Sequence, residues 1–376
     1  MGPGLQALLL CDDDKVVRVL RRVLSELEIG VEHCIDADAA VQKITRQRFE
    51  AVIIDCTIPE IASRVLKATR SAPANKRAIA VAIIDNQAAL KGASEFGAHF
   101  VLFKPISLER TKASFRSVRA LMKRERRRHA RVPVELQVEL VSGGGLGSIH
   151  TVSVDLAENG MAIKAGSSKL PPSFQIHFSL PEIDSQIGCR AEVAWEGNHI
   201  QGIRFHDVPA ETAEQLKRWI GRQLMGSDAE EPPVTCKLTD LSLGACYLQT
   251  ESPFPVRTRL QLMMKVRQLE LQIEGIVRVM HSSTGMGVEF MQRTSSQQSR
   301  VQEFIQTLVN TTALPNLQVR PDTIDNNASF SSEHVSNNDD PLLSLFQTGA
   351  HLPADEFQTE LRKQRGVEEE DEVLTV

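Results

Sequence analysis

No two cysteines of this 376-residue chain are spaced as C-x-x-C, and none of the six (Cys11, Cys34, Cys56, Cys189, Cys236, Cys246) forms a metal-ligand spacing with histidine. That removes the sequence signatures of a zinc site or a dithiol redox centre. Several lie inside apolar runs, where cysteine serves as a small hydrophobe, so reduced, buried thiols in a cytoplasmic protein are expected. Long hydrophobic runs are missing too: no stretch approaches the roughly 18 apolar residues of a membrane span. The opening Met-Gly-Pro-Gly has neither the charged region nor the apolar region of a secretory signal. A strong charge of one sign is also absent, since the formal net charge is −5, too mild for a global field that draws nucleic acid or anionic membrane. Charge is local instead: a basic run at Lys123, Arg124, Arg126, Arg127, Arg128 and Arg131, and an acidic run from Glu368 to Glu372.

What is present has length for two to three domains. From Leu5 to about Met122, short apolar runs alternate with amphipathic patterns. Ala7 to Cys11, Ala51 to Ile54, Ala78 to Ile84 and Phe100 to Phe103 read as buried strands. After the first, Val16, Val17, Val19, Leu20, Val23, Leu24 and Leu27 fall at helical spacing behind the capping acids Asp12 to Asp14. Strands separated by helices predict a parallel sheet covered on both faces, an α/β doubly wound fold with functional groups at the carboxyl ends of its strands. Asp12, Asp13, Asp55 and Lys104 all stand at such ends. Three carboxylates sharing one small site repel one another unless a hard cation such as Mg²⁺ lies among them. Asp55 is then the candidate phosphoacceptor, and Lys104 the partner of the phosphoryl charge.

Leu8-Leu9-Leu10-Cys11-Asp12-Asp13-Asp14, then Ile53-Ile54-Asp55 with Pro59, then Gly97-Ala98 through Phe103-Lys104-Pro105, resembles the receiver domain of two-component response regulators. The resemblance spans residues 1–122 and implies a flavodoxin-like fold, Mg²⁺ at Asp12, Asp13 and Asp55, and a sensor histidine kinase as partner. Two departures bear on phosphate signalling. Ala78 to Leu90 contains no Ser or Thr, where receivers carry a hydroxyl at the end of the fourth strand, and Val101 stands where they carry Tyr or Phe. Two expectations stay open for this domain: weak phosphorylation at Asp55, or docking without phosphate.

From Val132 the texture changes to short alternating strands with turn signals such as Ser142-Gly-Gly-Gly-Leu-Gly147, which predict β-barrel or sandwich units. A shift of 85 positions (240 − 155) lays Asp155-Leu156-Ala157 over Asp240-Leu241-Ser242 and Gly202-Ile203-Arg204-Phe205 over Gly287-Val288-Glu289-Phe290. Trp219-Ile220 falls on Phe304-Ile305 in closing helices. This is an internal repeat. The first strand of the first unit, Val132 to Val141, maps onto that unit's own closing helix, so the second unit is expected to be a truncated copy with an uncovered sheet edge.

Arg127-Arg128-His129-Ala130-Arg131 and Asp155-Leu156-Ala157-Glu158-Asn159-Gly160 resemble the R-x-x-x-R and (D/N)-x-S-x-x-G motifs of the PilZ family. That family's fold is a β-barrel, and its ligand is cyclic di-GMP. The resemblance implies binding through Arg127, Arg131, Asp155 and Gly160. The chemistry suits it: guanidinium forks bond phosphate or the O6/N7 edge of guanine and stack on the base. Asp155 can accept from guanine N1 and N2, and Gly160 permits a close turn. Ala157 replaces the motif serine, a missing hydroxyl bond of about 0.5–1.5 kcal/mol. The second unit has Ala245 at the glycine position and no preceding arginine pair, and is expected to bind no nucleotide. The basic run alone also suits a solvated linker helix or nucleic acid, but no recognition helix accompanies it.

Past Thr311 the chain turns polar and is expected to be a disordered acidic tail over 312–376, its short apolar patches Leu342 to Phe346 and Ala354 to Arg365 read either as part of a solvated tail or as segments for partner docking. The organisation expected is thus a receiver at 1–122, a PilZ-like unit at 123–226, a degenerate one at 227–311 and the tail. Its function is expected to be that of a non-enzymatic bacterial signalling adaptor that captures cyclic di-GMP on the segment between receiver and barrel and acts on a downstream protein. The alternative is a ligand-independent scaffold working by protein–protein contact.

Overall fold

The computed structural model describes residues 4–128, 130–141, 148–164, 166, 170–181, 186–197, 199–223, 232–282, 284–291, 294–311, 315–325, 340–349 and 352–364. Two compact units emerge. One comprises residues 1–125 with 231–376, the other residues 126–230.

The receiver-like part of the first unit runs β1 (Leu5–Leu10), α1 (Asp14–Glu26), β2 (Ile29–Cys34), α2 (Ala37–Arg46), β3 (Ala51–Asp55), α3 (Pro59–Ser71), β4 (Ile79–Ile84), α4 (Leu90–Glu95), β5 (Phe100–Phe103) and α5 (Leu108–Arg128). Its five strands are parallel in the order β2-β1-β3-β4-β5. The uninterrupted apolar runs of β1, β3 and β4 are buried because helices cover both sheet faces, forming one core on each side. Asp13 caps α1, accepting from the backbone N–H of Lys15 at 2.8 Å and of Val16 at 3.3 Å.

The second unit folds as β6 (Val132–Pro133), β7 (Gln137–Val141), β8 (Ser148–Ala157), β9 (Gly160–Lys164), β10 (Ser173–Ser179), β11 (Gln186–Glu196), β12 (Ile200–His206) and α6 (Ala210–Gln223). The β8–β9 pairing closes the run β8-β7-β10-β11-β12-β9 into a barrel, with β6 added on β8. Trp219 and Ile220 of α6 are buried in its core.

Back in the first unit, β13 (Val234–Leu241), β14 (Ala245–Gln249), β15 (Thr258–Val266), β16 (Leu269–His281) and β17 (Gly285–Phe290) precede α7 (Ser295–Val309), β18 (Asn316–Ile324), α8 (Pro341–Thr348) and α9 (Ala354–Gln364). The six strands close as β13-β14-β17-β16-β15-β18. Here the expected truncation is corrected. The missing first strand is supplied from beyond the closing helix: β18 lies antiparallel between β13 and β15, as β7 lies between β8 and β10. Val319, fully buried, takes the place of Leu140. A search for similarity in chain order cannot see a strand that moved to the other end of its unit.

The expectation of a structureless tail over 312–376 is likewise corrected at β18, α8 and α9. Apolar residues at strand and helix spacing, Leu317, Val319, Leu345, Phe346, Phe357 and Leu361, are buried against the barrel. The expected acidic end, residues 365–376, and the polar run 326–339 lie outside the described residues. Within this unit the barrel also joins the receiver part. Ser117 Oγ of α5 donates to the carbonyl of Pro253 at 2.8 Å, and Val256 N–H to that of His99 at 3.0 Å. Arg124 pairs with Asp322 at 3.1 Å, and the Glu125 carboxylate accepts from Ile324 N–H at 2.9 Å.

Candidate functional site

At the carboxyl ends of β1, β3 and β5 the chain assembles a small polar cluster. Asp55, the last residue of β3, has a side chain only 7% exposed, and Lys104 Nζ lies 2.8 Å from its Oδ2. Thr57 donates to Oδ1 through its hydroxyl at 2.7 Å and its N–H at 3.1 Å. Cys11 Sγ donates to Oδ2 at 3.3 Å. Burial pushes the Asp55 carboxyl up, but the bonds from Lys104 and Thr57 outweigh it and hold the group below the usual carboxylate value. Burial likewise works against the Lys104 charge, and its bonds to Asp55 and Asp85 more than offset that and raise its pKa. The Cys11 thiol is pushed up to about 12 by burial, so it is a neutral donor.

Asp55 and Lys104 are thus brought together as expected. The three expected metal ligands are not. Among the described residues no three acidic, cysteine or histidine side chains gather closely enough to hold an ion. Asp13 turns its carboxylate onto the start of α1, Asp12 is exposed, and both oxygens of Asp55 already accept bonds from the chain itself. Carboxylates are the donors that Mg²⁺ takes, so Asp12, Asp13 and Asp55 are the side chains that would hold it, although they do not converge as arranged. Sequence reasoning also missed Asp85, which follows β4 where a hydroxyl was sought and places its Oδ1 3.3 Å from Lys104 Nζ.

In the first barrel, Asp155 and Arg131 meet: Arg131 Nη1 is 2.6 Å from Asp155 Oδ1, which also accepts from Ala162 N–H at 3.0 Å. Strand register places Asp155, Ala162, Gly202 and Trp195 in one row across β8, β9, β12 and β11. The neighbouring row, Leu156, Met161, Ile203 and Val193, points into the core, so the Asp155 row faces outward. The Trp195 indole lies over Gly202, where a Cβ would come within 2.1 Å of its Nε1. Trp195 is 47% exposed. Trp195 escaped the sequence reading because the row that links it to Asp155 exists only through register, although its exposure at the end of an alternating strand is a usable signal.

The other two expected ligand residues are placed differently. Arg127 belongs to the last turn of α5 and is buried, while Arg131 follows the helix. Gly160 earns its place by packing: a Cβ there would stand 2.1 Å from the carbonyl oxygen of Ile203 on β12. In the second barrel, the Ser242 hydroxyl of the corresponding turn accepts from Ala245 N–H at 3.0 Å.

Residues 8–116 match the family model of the response regulator receiver domain, and residues 125–222 and 224–307 each match that of the PilZ domain. Both are regulatory, non-enzymatic families, and no catalytic family is indicated. Among solved structures, the receiver domain of a sensor histidine kinase from Pseudomonas aeruginosa PAO1, with magnesium coordinated in its cleft, is 24% identical over 32% of this chain and 98% of its own, at a TM-score of 0.28. A chemotaxis response regulator of Vibrio cholerae is 21% identical over 31% of this chain and 99% of its own, at 0.29. The PilZ domain of CeSA from a cellulose-synthesizing bacterium is 18% identical over 24% of this chain and 94% of its own, at 0.21. No curated protein sequence matches the chain. No helix among the described residues is long and apolar enough to cross a membrane.

Proposed function

From a chain that belongs to the response regulator receiver and PilZ families, carrying one receiver domain and two PilZ domains, we propose a signalling adaptor whose first PilZ domain binds cyclic di-GMP. The observation that carries this reading is the Arg131–Asp155 pair, 2.6 Å apart on an outward row that ends in the exposed indole of Trp195. A guanine offers N1 and N2 donors to a carboxylate, an O6/N7 edge or a neighbouring phosphate to a guanidinium, and a face to an aromatic ring. Arg131, Asp155 and Trp195 supply those three partners side by side. Ala162 between Asp155 and the indole adds no bulky side chain, and Gly202 lets the ring lie flat against the strand. Binding would exchange the Arg131–Asp155 bond for bonds to the ligand, so part of the gain is spent on opening that pair.

Arg127 enters this reading as a moving part. Because it is buried in the last turn of α5, its recruitment to a phosphate requires that turn to rearrange. The same helix carries Arg124 and Glu125, whose side chains hold β18. Ordering or unwinding a helix end is a recognised form of switch. Titration calorimetry of the full chain with cyclic di-GMP should show saturable heat that Arg131→Ala and Asp155→Ala each weaken by about tenfold or more, as loss of a charge-assisted bond implies. No heat with the wild-type chain overturns the proposal.

In the receiver domain, phosphoryl transfer to Asp55 is proposed to be weak, with Lys104 as the residue that would pair with the transferred group. Asp85 supports this: a carboxylate on Lys104 competes for its charge and repels an incoming phosphoryl group. A second reading, an adaptor that works by protein contact without nucleotide, is favoured by Ala157 and by the burial of Arg127, and the same calorimetry separates it from the first.

A further inference from the structure

The repeat allows one outer row to be followed in both barrels. In the second barrel the counterpart of Asp155, Ala162, Gly202 and Trp195 is Asp240, Tyr247, Gly287 and Val279. A bulge falls at the same place in each, between Val193 and Trp195 and between Val277 and Val279. The first row ends in an exposed ring. The second is covered, with Tyr247 and Val279 each 1% exposed.

What covers it is the hairpin of α8 and α9. Phe346 lies over Gly287, where a Cβ would come within 2.5 Å of the ring, so glycine is required for the ring to seat. Phe357 stands with its ring centre 5.5 Å from that of Tyr247 and 4.5 Å from that of His281. One oxygen of Asp340 caps α8 through the N–H groups of Leu342 and Leu343, and the other accepts from Gly244 N–H at 2.9 Å. Gly244 belongs to the turn that corresponds to the ligand-motif turn of the first barrel. Leu342, Leu345 and Leu361 complete an apolar cluster distinct from the barrel interior.

We propose that the second barrel is a receptor for an amphipathic helical hairpin, and that residues 340–361 of this same chain are its resident, exchangeable ligand. The hairpin adds no strand to the sheet, since β18 already closes the barrel, and it attaches to the outer wall through two aromatic anchors and one capping carboxylate. That is the helix-in-groove mode of recognition, placed on the face that the first barrel presents with Asp155 and Trp195. The inference rests on register and contacts within the second barrel and does not require nucleotide binding by the first.

The test uses the full chain with a site-specific protease sequence placed within residues 326–339. After cleavage, the C-terminal fragment should co-elute with the rest in gel filtration. A dye-labelled peptide of residues 338–366 should then replace it, read by fluorescence anisotropy. The uncut chain should take up the label roughly tenfold or more less readily, because the tethered hairpin competes at high effective concentration. The uncut double variant Phe346→Ala, Phe357→Ala should take it up as the cut chain does, and a labelled peptide with those two replacements should not bind. Loss of the fragment with no uptake of label, a fragment that does not exchange overnight, or equal uptake by cut and uncut wild-type chains each overturns the proposal. Cyclic di-GMP calorimetry on the same uncut chain reports on the first barrel separately.

Discussion

Asp85 and Lys104 form an ion pair, with Oδ1 3.3 Å from the same Nζ that lies 2.8 Å from Asp55 Oδ2. One ammonium thus serves two carboxylates, Asp55 and Asp85. Replacing Asp85 with Thr restores a hydroxyl and removes a competing negative charge from the Lys104 ammonium. Labelling by acetyl phosphate should rise by about tenfold, since one carboxylate fewer then competes for the Lys104 ammonium, and a charge pair about 4 Å apart is worth of order 1–4 kcal/mol between water and a protein surface. Acid-labile phosphate measured in wild type, Asp85→Thr and Asp55→Asn decides it. A rise that survives Asp55→Asn would assign the label to another residue.

Ala157→Ser should tighten cyclic di-GMP binding by a few-fold to tenfold, the worth of one neutral hydrogen bond at about 0.5–1.5 kcal/mol. Calorimetry on the two proteins at one salt concentration measures it. An unchanged affinity would show that residue 157 does not reach the ligand.

His281 sits in the hairpin contact, buried, with Nε2 3.3 Å from the carbonyl oxygen of Leu352 and Nδ1 3.5 Å from the Tyr247 hydroxyl. Burial lowers its pKa below 6.5, and the bond to Leu352 offsets that only in part. Its neutral form is therefore favoured by the fold. The sign follows: its contribution is fully present above pH 6.5 and is lost as pH falls from there through the lower folded value. Hydrogen exchange of residues 341–361 should quicken between pH 6.5 and 5 when corrected for intrinsic rates, and His281→Gln should flatten that dependence.

All six cysteines are free and buried. Burial raises the thiols of Cys56, Cys189 and Cys236 to about 11, so thiolate is scarce at neutral pH. Ellman's reagent should find under one reactive thiol per native chain within minutes at pH 7 and six in denaturant. Rapid reaction of two or more in the native chain would contradict the burial of these side chains.

Much of this architecture was legible in the chain because its signals are local. Apolar runs ending in Asp55 and Lys104 fixed the parallel sheet, and the recurrence of Asp155 and Gly202 at Asp240 and Gly287 fixed the paired barrels. Signals that depend on distant partners were not legible. Leu317 and Val319 alternate in a polar neighbourhood and become a strand only because β13 and β15 offer edges. Trp195 joins Asp155 through three strand pairings that no spacing in the sequence records.

The place of β18 in the second barrel sets an order of events during synthesis. The first barrel has all its strands once residue 206 has left the ribosome, whereas the second must wait for residue 324, after its own closing helix. Until then β13 and β15 present bare backbone, the kind of edge that recruits strands from neighbouring chains. A nascent chain stalled near residue 311, or a fragment cut at the end of the family match at 307, carries that sticky intermediate permanently. Such fragments should aggregate where a chain ending at 325 stays dispersed.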